Sequence, residues 1–147
     1  MTAPDLTKRA PRSMRVRLGG FLILPRMLDK GRAEIAGTHG EYHYNCPLDQ
    51  RLLEFVGIDP VQLREQLAQG KGDGEILHWI LSNAQHPRTQ FEIEQWSAYQ
   101  EARGTAALEQ REYFQNLHRQ VGPLREDIAS WADLLDLDDY VSFGGKA

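Results

Sequence analysis

Cys46-Pro-Leu-Asp-Gln-Arg-Leu-Leu-Glu-Phe-Val-Gly-Ile-Asp-Pro-Val-Gln-Leu-Arg-Glu-Gln-Leu-Ala-Gln-Gly70 contains two helices together with their boundaries. Pro47 suits a first helical position, where a missing N–H is no loss. Leu48, Leu52, Phe55 and Val56 then share a face up to Gly57, a left-handed stop. Asp59-Pro60 restarts the pattern, which carries Val61, Leu63 and Leu67 to Gly70. Apolar spacing of three and four, rather than two, decides for helix over strand.

The same punctuation recurs on both sides. Upstream, Pro25 precedes Arg26-Met-Leu-Asp-Lys-Gly-Arg-Ala-Glu-Ile-Ala36, and Gly37 ends it. Downstream, Asp73 is expected to cap a helix with Ile76, Leu77, Ile80 and Leu81 inward, broken at His86-Pro87. Thr89-Gln-Phe-Glu92 has the capping-box form and opens a helix ending at Gly104. Thr105 is expected to cap a longer stretch with Leu108, Phe114, Leu117 and Val121, stopped by Gly122-Pro123, and a last helix bears Ile128, Trp131 and Leu134 or Leu135. Trp79, Trp96 and Trp131 fall at core spacings and read as core or interface anchors. The prediction is a mainly α fold: a compact single-domain bundle of about six to seven short helices over residues 18–147, after a basic N-terminal arm over residues 1–17. One stretch has a second reading. Gly37-Thr-His-Gly40 also fits a turn joining two short strands, a small β-hairpin around residues 34–45.

Composition narrows the function classes. The chain has 147 residues, 41% hydrophobic and 26% charged, in the range of one soluble domain that buries a core unaided. Cys46 is the only cysteine, so no internal disulfide forms, and an unpaired thiol suits a reducing cytoplasm. No apolar run is long enough for a membrane span. The run Leu18-Gly-Gly-Phe-Leu-Ile-Leu24 after basic residues superficially imitates an export signal. It has no small-residue cleavage site and ends in Pro25-Arg26, so it reads as mature protein.

The net charge of −4 hides an asymmetry. Residues 1–32 carry eight Lys or Arg against Asp5 and Asp29, a net of +6, while the remainder carries nine basic against nineteen acidic residues, a net of −10. The basic arm is expected to lie across the acidic body of its own chain or of a second subunit. Nucleic acid is not the expected partner, because the acidic body repels a long polyanion.

Three groups of residues carry chemistry. Arg26, Asp29 and Lys30, with Arg32 nearby, sit at helical offsets of three and four, where Asp29 is expected to hold the cations and arginine's planar fork to receive a carboxylate or phosphate. The opposing reading is a solvated salt-bridged face. Glu41-Tyr-His-Tyr-Asn-Cys46 supplies the second group. Tyr42, His43, Tyr44 and Asn45 combine ring surface with directed donors and acceptors, as a pocket wall does. Cys46 at a helix N-terminus, with His43 as base, is the candidate catalytic pair, although no Cys-His signature surrounds it and a lone buried cysteine usually packs as a small hydrophobe. His39, His43, Cys46 and Glu41 have the donor types for zinc but not the paired spacing, so no metal is expected. Third, Gly70-Lys-Gly-Asp-Gly-Glu75 precedes a helix, but it has neither the Walker nor the dinucleotide spacing, and Asp73 and Glu75 repel an anion. No cofactor is implied.

Asp5-Leu-Thr-Lys-Arg-Ala-Pro-Arg-Ser13, Leu18-Gly-Gly, Leu24-Pro-Arg-Met-Leu-Asp-Lys-Gly-Arg-Ala33, Gly40-Glu-Tyr-His-Tyr-Asn45 and Gly72-Asp-Gly-Glu-Ile-Leu77 together resemble a bacterial family called domain of unknown function 5069. The resemblance implies a stand-alone, cytoplasmic, mostly helical bacterial protein and supplies no catalytic residues, substrate or cofactor. The functional expectation therefore rests on the residues: a small-molecule-binding domain for an anionic ligand, with enzymatic activity left open. The alternative is a non-catalytic interaction module or homodimer that uses the basic arm and acidic body. The first expects the Arg26 and Tyr42 segments to converge on one hollow, and the second expects a flat patch.

Overall fold

The computed structural model describes residues 2–104 and 108–146. Among them run β1 (Arg17–Leu18), β2 (Phe21–Leu22), α1 (Leu24–Ala36), α2 (Pro47–Val56), α3 (Pro60–Ala68), α4 (Asp73–Asn83), α5 (Gln90–Ala102), α6 (Leu108–Val121) and α7 (Trp131–Ser142). The mainly α expectation holds, and most boundaries fall where the punctuation placed them. Gly37 and Gly57 close α1 and α2 in left-handed geometry, the Asp59 carboxylate accepts from the Val61 N–H, and Thr89 and Glu92 satisfy each other's backbone donors. The expected Thr105 cap lies outside the described residues. Ser130 and Asp133 form a further reciprocal cap at the start of α7.

Two local expectations are corrected. The antiparallel pair is at Arg17↔Leu22 and Leu18↔Phe21, not in residues 34–45. Gly19 and Gly20, at φ 60° and 84°, form its two-residue turn, a geometry that two consecutive glycines adopt without a Cβ penalty. The 37–46 stretch is instead a run of turns. Thr38 accepts from Leu6 N–H at 2.8 Å and donates to Ala33, and Tyr42 N–H closes a turn on His39, so no partner strand is available to it. The second correction concerns α4, which is capped by Gly72. Asp73 is its first residue, and its carboxylate faces the guanidinium groups of Arg12 at 2.8 Å and Arg32 at 2.7 Å. Charge-assisted bonds to two arginines outcompete a backbone cap.

α1 is the central element. Met27 and Leu28 are wholly buried against Leu52, Leu63, Ile76 and Ile93 of the surrounding helices. Gly31 lies where α3 approaches α1 most closely: a Cβ there would stand 2.6 Å from Leu67 Cδ1 and 3.2 Å from Tyr44 Cδ1. The hairpin is tied to α5 by Ser97, whose hydroxyl accepts from Leu22 N–H at 3.0 Å and donates to the Gly20 carbonyl at 2.7 Å. Between hairpin and α1, buried Ile23 holds φ 77°, a strained position for a β-branched residue, fixed by its N–H bond to Met14 and by complete burial.

The N-terminal arm packs on its own chain. Leu6 and Met14 are buried, Arg12 bridges Asp29 and Asp73, Arg15 pairs with Asp133 and Asp136, and Arg17 pairs with Glu101. No helix among the described residues is long and apolar enough to cross a membrane.

Candidate functional site

Arg26 and Lys30 lie one turn apart on α1, and both are buried. A cation removed from water requires a counter-ion, and each finds one on another element. Arg26 donates to both oxygens of Asp139 on α7, at 2.7 and 3.3 Å. Lys30 Nζ sits 2.9 and 3.0 Å from the two oxygens of Asp49 on α2, and 3.2 Å from Cys46 Sγ. Burial works against the charge on Arg26, but hydrogen bonding and attraction to Asp139 outweigh it and raise its pKa.

Asp29 is not part of this arrangement. One residue short of Lys30, it points off the shared face and accepts from Arg12: backbone N at 2.9 Å, Nε at 3.1 Å and Nη2 at 3.0 Å. The predicted triad therefore divides, because the arm supplies Asp29 with a guanidinium while α2 and α7 supply carboxylates to the two cations.

The second predicted segment also divides, because the backbone turns within it rather than running as a strand. Tyr42 turns toward α7. Its hydroxyl donates to Asp139 at 2.8 Å, its ring lies under Arg26 at 5.5 Å, and it stacks on Phe143 at 6.5 Å. Burial, then the Asp139 charge, pushes its phenol pKa up. Tyr44 turns the opposite way, donating to the Pro60 carbonyl at 2.7 Å and packing on the core. Asn45 is exposed at φ 62°, gives its N–H to Asp49 at 3.0 Å, and borders a separate shallow cavity of about 640 Å³ beside Gly57 and His86. His43 is exposed, 5.9 Å from the His39 ring; among the described residues no hydrogen bond joins it to Cys46, whose sulfur is held by Lys30.

Arg26, Lys30, Tyr42, His43 and Cys46 converge on one cavity of about 1050 Å³, closed on its far side by α6 and α7. Asp29, Tyr44 and Asn45 do not line it. Among the lining residues that escaped the sequence reading are two cations, Arg51 on α2 and Arg103 just past the end of α5. Among the described residues neither has a carboxylate within ion-pair distance. Arg103 lies 5.9 Å from the Trp131 ring, its Nε is buried without a partner, and the Trp131 Nε1 is likewise buried and unpaired. Burial, then repulsion from Arg51, lowers the Arg103 pKa. The available signal for Arg51 was its position: three residues after Leu48, it borders the apolar face of α2 in a body with few basic residues.

Across the cavity, Asp138 is half-buried beside Asp139; burial, then that neighbouring charge and that of Glu41, raises its pKa against the opposing pull of Arg26. Among the described residues no group of three or more His, Cys, Asp or Glu is placed to hold a metal ion.

The described residues form a small, mainly α domain of seven helices, with a partly open charged cavity bounded by α1, α2, α6 and α7. The chain belongs to the family described as Domain of unknown function (DUF5069), whose model matches residues 8–141. Comparison with curated proteins finds no match.

Proposed function

We propose that the large cavity binds a small organic anion. The observation that carries this reading is the adjacent pair Arg51 and Arg103, which lines the cavity with no counter-ion among the described residues, while Arg26 and Lys30 are already neutralised by Asp139 and Asp49. Two cations held close together in a partly desolvated wall repel each other, and an anion between them relieves that repulsion and satisfies donors water serves poorly. Rings around them, Trp131, Tyr113 and Tyr42, supply apolar surface of the kind that buries a ligand's body. The reading is binding rather than turnover: among the described residues Cys46 has neither histidine nor carboxylate within hydrogen-bond reach to act as base. The alternative of an interaction module worked by a basic arm has less support, because Arg12, Arg15 and Arg17 are paired within the chain. The setting we assign is a reducing bacterial cytoplasm, in keeping with the single free thiol.

Thermal melting in inorganic phosphate, phosphate monoesters and dicarboxylates tests the reading. A ligand present at about 100 times its Kd adds about 2.7 kcal/mol. That stabilisation is expected in the wild-type protein and lost in Arg51→Gln. Equal stabilisation in the variant rejects the site, and no stabilisation by any of these anions rejects the function.

A further inference from the structure

The same cavity carries a second set of uncompensated charges. Asp138 on α7 and Glu41 in the 37–46 loop both line it, and among the described residues neither is paired with a cation within 4.0 Å. Arg26 passes near Asp138 but is already held by both oxygens of Asp139. The two sets do not neutralise each other. Arg51 and Arg103 act on one another at the α2–α5 side, whereas Asp138 and Glu41 act on one another at the α7 and loop side. A cavity whose cations on one side and carboxylates on the other are unpaired among the described residues is complementary to a molecule polarised the same way.

We propose that the ligand is a small zwitterion, with its acidic group at Arg51 and Arg103 and an ammonium at Asp138 and Glu41. This deepens the anion reading and rests on it. Trp131 lies beside Arg103 at the cationic side and Tyr42 beside Asp139 at the acidic side, ring surfaces lining the same cavity and suited to the carbon chain that joins the charges. A plain anion satisfies only the arginine end and leaves Asp138 beside Asp139 with like charges unrelieved. A zwitterion relieves both ends.

The test is titration calorimetry of the full chain with ω-aminoalkyl phosphates of increasing length, each against the alkyl phosphate of matched length. At the length that spans the cavity, the amino compound is expected to bind about tenfold tighter, the effect of one added charged hydrogen bond. In Asp138→Asn that advantage is expected to fall to about twofold or less, with alkyl phosphate binding undiminished. Equal binding of amino and plain compounds at every length to the wild-type protein overturns the zwitterion and leaves the anion reading standing. An advantage that survives intact in Asp138→Asn overturns the assigned ammonium position. Failure of both series to bind overturns the anion reading, and the zwitterion with it.

Discussion

Lys30 is 3% exposed and its partner Asp49 is wholly inaccessible, so the pair is read as structure as much as site. Replacing Lys30 with alanine leaves Asp49 buried with, among the described residues, the Asn45 N–H as its remaining partner, a loss expected to cost about 3–5 kcal/mol in urea unfolding. Replacing both partners by apolar residues of similar volume is expected to restore most of it. His43→Ala, at an exposed position, is expected to stay within about 0.5 kcal/mol of wild type. A small loss in Lys30→Ala would show that water reaches Asp49. At this scale, residue type was legible in the sequence where spacing alone fixed direction: Arg26 and Lys30, one turn apart, do share a face. Asp29 and Tyr44 were not, because each is claimed by a group remote in sequence, Arg12 and Pro60 respectively. Arg51 and Arg103 converge only when α2 and the end of α5 pack, which no local spacing encodes.

At the scale of elements, caps and stops carried most of the information, since Pro at the start and Gly past the end are fixed by backbone geometry. The hairpin was missed for a physical reason: two-residue strands are too short to alternate, and only Gly19-Gly20 marks them. Gly31 shows an element-level rule overridden by packing. Alanine is the better helix former by roughly 0.8–1.0 kcal/mol, yet a Cβ at this position meets Leu67 and Tyr44. Gly31→Ala is therefore expected to lower stability by about 1–3 kcal/mol, the range of overpacked cores. A melting temperature raised by the substitution would mean that α3 yields and that the close approach is not required.

Over the whole molecule, the charge asymmetry of the sequence becomes a set of clamps from arm to body. Arg12 and Arg32 hold the Asp73 carboxylate below its ordinary range against the opposing effect of burial. A carboxylate with a depressed folded pKa contributes stability that is fully present above the unfolded value of about 3.9 and is lost as pH falls through the folded value. Asp73→Asn is accordingly expected to melt below wild type at neutral pH, with the difference closing under acid. A difference constant with pH would remove the clamp from the account. Arg51 and Arg103 reverse this logic, because two neighbouring like charges oppose stability. Arg103 is partly desolvated, near Arg51 and without a carboxylate among the described residues, so its removal relieves repulsion in the unliganded protein. Structural arginines lose stability when replaced, whereas this one is expected to lose binding instead. Titration calorimetry with inorganic phosphate, run on wild type and Arg103→Gln beside their ligand-free melting curves, tests that claim most directly. The account predicts saturable binding by the wild type, at least about tenfold weaker binding by a variant that melts no lower than wild type. Undiminished binding by Arg103→Gln, or a variant that melts well below wild type, would contradict it.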